Sequence, residues 1–231
     1  MKRLELIQKT QYDFDAALED REIEALKIWN CKIKDYSKLN SLTKLTELEI
    51  FSFDGTLDDM CNLRNLSRLR LIHMPKVNKL DKLELLTNLQ ELSLESLPSW
   101  DSSGKTLVFD NLNPIGKLSN LKNLVIMKGI AEEFGLKPLG HLKQLQKFET
   151  ENTFSTYDFA WLSAQLRNTE CVYFKPYHEV RYSQCKKCGS NKVKLTGIKR
   201  NNLLCPNCNK NKINEHENIF YKIVTESSGT S

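Results

Sequence analysis

The chain has 231 residues, with 34 Lys or Arg, 29 Asp or Glu and 40% apolar residues. That length holds one main body and a small additional module, and no run of 18 apolar residues could cross a membrane. The net charge of +5 is uneven: His178–Ser231 carries 10 basic and 4 acidic residues, which leaves the rest almost neutral. A basic segment of this kind can attract nucleic acid or acidic protein.

Residues 1–22 are expected to form an N-terminal cap. Leu4, Ile7, Phe14 and Leu18 would supply one apolar face of a helix, with Asp and Glu residues outward. No apolar stretch follows Lys2 and Arg3, so no secretory signal is expected and the chain reads as cytoplasmic.

From about residue 23 to 177 one phrase recurs roughly every 22 residues. It appears as Ile23-x-x-Leu26-x-Ile28, Leu45-x-x-Leu48-x-Ile50, Leu66-x-x-Leu69-x-Leu71, Leu89-x-x-Leu92-x-Leu94 and Leu121-x-x-Leu124-x-Ile126. Two degenerate copies follow, Leu145-x-x-Phe148-x-Thr150 and Thr169-x-x-Val172-x-Phe174. A supersecondary unit repeated at a fixed period is the signature of a solenoid. Each phrase is preceded by an apolar beat of three, as in Leu39, Leu42, Leu45, Leu48. A period of three suits a 3-10 turn or short helix on the convex side. The switch to alternation at Leu48-Glu49-Ile50 marks a strand. The longer step from Leu92 to Leu124 predicts a loop insertion near residues 98–113, containing Trp100, Ser102, Ser103, Gly104 and Phe109.

Alternation assigns side chains to the concave face in three columns. The first includes Glu47, Arg68 and Glu91; the second includes Lys27, Glu49, Arg70 and Tyr173; the third includes Trp29, Phe51, Ile72 and Met127. Alternating charges on neighbouring strands stabilise a sheet. Trp29, Phe51 and Ile72 are expected to form a solvent-facing apolar patch with Arg68 and Arg70 beside it. A patch of that kind is typical of a protein-binding hot spot.

The strings Lys38–Leu48 and Gly116–Leu124 resemble the short leucine-rich repeats of the internalin type. The resemblance covers about two thirds of the chain. It implies an α/β solenoid, a horseshoe of parallel strands with convex 3-10 or helical returns, and a protein partner. One feature departs from the family pattern. The Asn usually found three residues after the last strand Leu is replaced by Cys31, Phe53, Met74, Leu97 and Gly129.

Residues 178–231 read as a zinc-ribbon module with a tail. Cys185-x-x-Cys188 and Cys205-x-x-Cys208 are two knuckles with 16 residues between them. Two such turns brought together by a hairpin complete a tetrahedral four-cysteine site for one structural Zn2+. Lys192–Thr196 and Asn202–Leu204 are expected to form the hairpin, and Asn218–Val224 a third strand. His216 reads as a surface residue. The ribbon is also expected to close the C-terminal end of the solenoid.

No phosphate-cradling Gly-rich loop, Gly-x-Ser-x-Gly turn or His-Glu-x-x-His helix is present. The reading is therefore a non-enzymatic binding module with no small-molecule substrate. It would use its concave face to bind, and in one form inhibit, a protein partner, as a bacterial immunity protein blocks its cognate toxin. The alternative is a nucleic-acid-associated or regulatory protein acting through Lys186, Lys187, Lys192, Lys194, Lys199 and Arg200, with Tyr177, Tyr182, Phe220 and Tyr221 available for stacking.

Overall fold

The computed structural model describes residues 1–96, 106–199 and 203–228. In chain order the main elements begin with β1 (Arg3–Ile7), helix α1 (Gln11–Ala17), β2 (Ala25–Trp29), β3 (Glu47–Phe51), β4 (Arg68–Ile72) and β5 (Glu91–Glu95). They continue with β6 (Leu107–Phe109), the one-turn α2 (Asn113–Gly116), β7 (Asn123–Met127), β8 (Gly129–Ala131), β9 (Lys147–Thr150) and helix α3 (Thr156–Gln165). The last three are β10 (Tyr177–Gln184), β11 (Asn191–Leu195) and helix α4 (Lys210–Ser227).

Seven strands form one parallel sheet in the order β1-β2-β3-β4-β5-β7-β9. The register follows the sequence repeat. Leu4, Leu26, Leu48, Leu69, Leu92, Leu124 and Phe148 lie side by side, one per strand. All but Leu4 are fully buried. The period-three beats become 3-10 turns at Ser37–Ser41, Leu57–Met60, Asp81–Leu85 and Lys137–His141, with α2 in the equivalent place after the insertion. Leu39, Leu42 and Leu45 point inward from these returns and are wholly buried, so strand and return close on one continuous core.

Asn side chains tie successive units together. Asn65, Asn88 and Asn120 donate to the carbonyls of Thr43, Arg64 and Thr87 in the preceding unit, at 2.8–2.9 Å. Of the substitutions at the usual Asn position, Cys31 keeps a polar role. Its sulfur accepts from the Lys9 N–H and donates to the Leu6 carbonyl, both at 3.3 Å. Phe53 and Met74 instead fill the turn with buried apolar volume. Gly129 begins β8, which pairs with β6 in a separate two-stranded sheet.

The structure corrects the sequence reading at both ends of the array. Leu4 and Ile7 do not share a helix face with Phe14 and Leu18. Residues Arg3–Ile7 form a strand that extends the sheet by one unit, and the helix begins only at Gln11, where Thr10 and Asp13 make a reciprocal capping box. Phe14 and Leu18 then turn inward and are fully buried. At the other end, Thr169–Phe174 does not become a strand. A single bridge, Lys147 with Glu170, is all that remains of the pairing, and Val172 is exposed.

Within the expected insertion, Leu107–Phe109 forms β6, and both Phe109 and Leu112 are wholly buried. Trp100, Ser102, Ser103 and Gly104 lie outside the described residues, as does Leu97.

Candidate binding face and metal centre

On the concave face the first two columns, joined by Glu95 of the third, form an ion-pair lattice. Arg3 reaches Glu47 at 3.2 Å across the small side chain of Ala25. Arg68 bridges Glu47 and Glu91, and Arg70 bridges Glu49 and Glu95. Lys27 pairs with Glu49 at 3.4 Å and also lies 4.8 Å from the Trp29 ring centre. Most of these groups are partly exposed, so each pair contributes little to stability on its own. Their joint effect is to hold long side chains in fixed positions.

Glu95 is the exception, since its side chain is only 10% exposed. Burial opposes its ionisation, but hydrogen bonds from Arg70 and Ser93 outweigh that and hold its carboxyl below the usual carboxylate range. The Arg70 guanidinium is raised correspondingly, chiefly by its hydrogen bond to Glu95.

The third column is not the open patch expected. Phe51 is 5% exposed and Ile72 is fully buried. Trp29 stacks on Phe51 with ring centres 4.5 Å apart, and His73 meets the same ring edge-on at 5.3 Å. Ile72 sits in register between Phe51 and Glu95. Left-handed residues Asn30, Ser52 and His73 follow these strands and turn the chain sharply, which packs the strand ends together. Trp29 and Met127 stay half-buried.

The exposed apolar member of this column is Ile7, at 51% and in direct register with Trp29. The repeat contained the signal for it, because one 22-residue step back from Trp29 reaches Ile7. Tyr173 leaves the face altogether. It is buried, 5.0 Å from the Phe159 ring and 5.2 Å from His178.

The four cysteines predicted as ligands converge: Cys185, Cys188, Cys205 and Cys208 place their sulfurs within 4.8 Å of one another. Three of the separations are 3.3, 3.8 and 3.8 Å. A metal bound by sulfur at about 2.3 Å needs tetrahedron edges of about 3.8 Å, so the donor set fits a tetrahedral ion.

Local structure builds each knuckle. Gly189, at φ +75°, lets its N–H return to the Cys185 carbonyl at 2.9 Å. In the second knuckle the Asn209 N–H reaches the Cys205 carbonyl, and the Asn209 side chain accepts from the Cys205 N–H. The Ser190 hydroxyl and N–H pull the Cys188 thiol down to about 6. Backbone N–H groups of Lys187 and Cys188 lower Cys185. Cys208 is pushed up to about 12 by the sulfurs of Cys185, Cys205 and Cys188. Four thiolates so close would repel one another, which keeps the proton on Cys208, and a bound cation would relieve that repulsion.

Around this centre β10 and β11 form an antiparallel hairpin, and Leu204 bridges to Val193. Asn202 lies outside the described residues. The expected third strand is wrong, because Asn218–Val224 belongs to helix α4. Ile213, His216, Phe220 and Ser227 recur at helical spacing and are buried, and α4 packs along α3 of the array. His216 is therefore not a surface residue, and burial lowers its basicity.

The module is fastened to the array by side chains. Asn152 donates to the Leu195 and Ile198 carbonyls and accepts from the Gly197 N–H. Thr156 donates to the Thr196 carbonyl, and Gln165 to the Ser227 carbonyl. Gly197, at φ +78°, lies so close to α3 that a Cβ would stand 2.0 Å from the Thr156 nitrogen.

No protein-family model matches the chain, and no curated protein matches its sequence. Solved structures do. Internalin C2 of Listeria monocytogenes is 23% identical with a TM-score of 0.56, and the match covers 72% of this chain and 68% of that one. The internalin InlF of the same organism is 19% identical with a TM-score of 0.52, covering 71% of this chain and 45% of that one. The fold is a leucine-rich-repeat solenoid. A leucine-rich-repeat sheet of this kind offers an extended concave surface suited in general to binding protein.

Proposed function

We propose that the chain is a non-enzymatic protein-binding module acting through the N-terminal half of its concave face. The observation that carries this is the juxtaposition of Ile7 and Trp29 with the ion-pair lattice of Lys27, Glu49, Arg68 and Arg70. The apolar pair supplies area to bury, and the lattice supplies fixed charges that discriminate between partners. The partner is a protein of mixed surface charge, and the module works by occupying it. Neutralisation of a toxin by an immunity protein is one form this takes. Met127 extends the same column further along the sheet; Phe51 and Ile72 support it from beneath. The four-cysteine site holds one structural Zn2+, and such a thiolate site belongs in a reducing compartment such as the cytoplasm.

The test is capture of partners from the source lysate by the wild-type chain and by an Ile7→Asp/Trp29→Asp variant. The captured protein is then purified and its affinity measured for both. A fold that survives with affinity reduced at least tenfold supports the reading. Equal affinity contradicts it.

A second reading has its own observation. Tyr182 is fully exposed at φ +67° beside Arg181, where the β10–β11 register shifts. Of the other stacking candidates, Tyr221 is half exposed and Phe220 is buried. An open aromatic beside cations suits single-stranded nucleic acid. Salt-dependent binding of an oligonucleotide, lost in Tyr182→Ala, would favour this reading.

A further inference from the structure

We infer that two copies of the chain pair antiparallel through the open edge of β1, joining their sheets across a two-fold axis. The strand β1 ends the sheet, with β2 on one side and no strand on the other among the described residues. Its hydrogen-bonding groups divide by parity. The Lys2 carbonyl accepts from Ala25, and the Gln8 N–H donates to Trp29, so even-numbered residues face β2. The N–H and C=O groups of Arg3, Glu5 and Ile7 therefore point outward. Such a row is a template for another strand.

The sequence of β1 selects its own occupant and its register. In a two-fold antiparallel pair, residues opposite each other have numbers with a constant sum. Only an even sum places the outward groups of odd residues opposite one another, where each pair exchanges both N–H···O bonds. A sum of 6 sets Arg3 against Arg3, and a sum of 10 sets Glu5 against Glu5. Both carry a like-charge penalty. A sum of 8 sets Arg3 against Glu5 twice, Lys2 against Leu6 twice, Ile7 against Met1 twice, and Leu4 against Leu4 on the axis.

In that register Arg3, which reaches Glu47 within its own sheet, also faces Glu5 of the second copy, so two opposite-charge pairs form across the axis, and two of the exposed apolar residues at this end, Met1 and Ile7, meet. Charges on an edge strand normally discourage promiscuous strand addition; here, among the three registers centred on β1, they favour the one that is self-complementary. A two-fold interface of this type closes on itself and does not propagate.

The experiment is sedimentation velocity over a concentration series for the wild type, Arg3→Glu, Glu5→Arg and the double reversal, each checked by thermal melting for an intact fold. A wild-type dimer is expected. Each single reversal should raise its dissociation constant on the order of tenfold or more, since the two-fold axis counts every change twice. The double reversal restores opposite charges and should recover most of the affinity.

An independent variant, Leu4→Cys, places two thiols across the axis in a non-hydrogen-bonded pair. It should yield an oxidised covalent dimer that the wild type does not form. A monomeric wild type, single reversals without effect, a double reversal no better than the singles, or absence of the Leu4→Cys cross-link would overturn the inference.

Discussion

The repeat array and the C-terminal module solve the problem of holding a fold together in different ways. The array buries one continuous core, from Leu6 and Phe14 to Leu145 and Phe148, in which every unit is supported by its neighbours. Within the hairpin and knuckles, Val193, Thr196 and Cys205 are the only buried residues among those described from 178 to 209. So small a core cannot offset the entropy of ordering the chain without a cross-link. The four sulfurs supply that cross-link when they share a metal, and α4 adds a second attachment through α3. The array's stability is therefore distributed, and the module's is concentrated at two points.

Breaking one of those points gives the largest expected effect. Cys185→Ser removes one of four ligands, and a structural metal of this class supplies on the order of 10 kcal/mol of apparent binding energy. Metal content by mass spectrometry should fall from one ion per chain, and the hairpin amide signals should collapse while those of β2–β7 persist. A variant that retains its metal would refute the four-ligand assignment.

The close contact between the turn after β11 and the start of α3 is tested by Gly197→Ala. The added Cβ collides with the backbone of α3, and the backbone conformation is itself costly for alanine. A loss of roughly 2–4 kcal/mol is expected, with an early transition confined to the module in thermal melting.

In the array, single changes should matter less. Glu95→Gln weakens charge-assisted hydrogen bonds to Arg70 and Ser93 and should cost about 1–2 kcal/mol by urea denaturation. Its pH dependence has a fixed sign. Because the folded-state carboxyl is held below its ordinary value of 4.5, its contribution is present above that pH. It is lost as pH falls through the folded value. The gap between wild type and variant should thus be widest near neutrality and close in acid.

The same contrast explains what was legible in the amino-acid sequence. Core-facing leucines at a period of two and then three are a direct imprint of strand and return, so the sheet, its register and its convex turns followed from Leu26, Leu48, Leu69, Leu92 and Leu124. The four-cysteine cluster was equally plain, because two Cys-x-x-Cys turns specify four converging sulfurs. β1 was hidden because its charged odd positions and its place ahead of the obvious repeats resembled a polar cap. The helix α4 was hidden because Ile219, Phe220, Ile223 and Val224 suit a strand by composition. Phe220 is fully buried and Ile223 and Val224 pack partly against the core while Ile219 stays exposed, and this one-sided burial, a tertiary effect, selects the helix. The burial of Ile72 and Phe51 also lay beyond the alternation rule, which assigns a side of the sheet but not what packs over it.

The most direct measurement is hydrogen exchange along the chain before and after metal removal by a chelator. If the module is a metal-dependent cap on the array, protection should vanish in β10, β11 and α4, fall partly in α3 and β9, and remain unchanged from β1 to β4. Loss of protection throughout the array, or no loss in the module, would contradict that account.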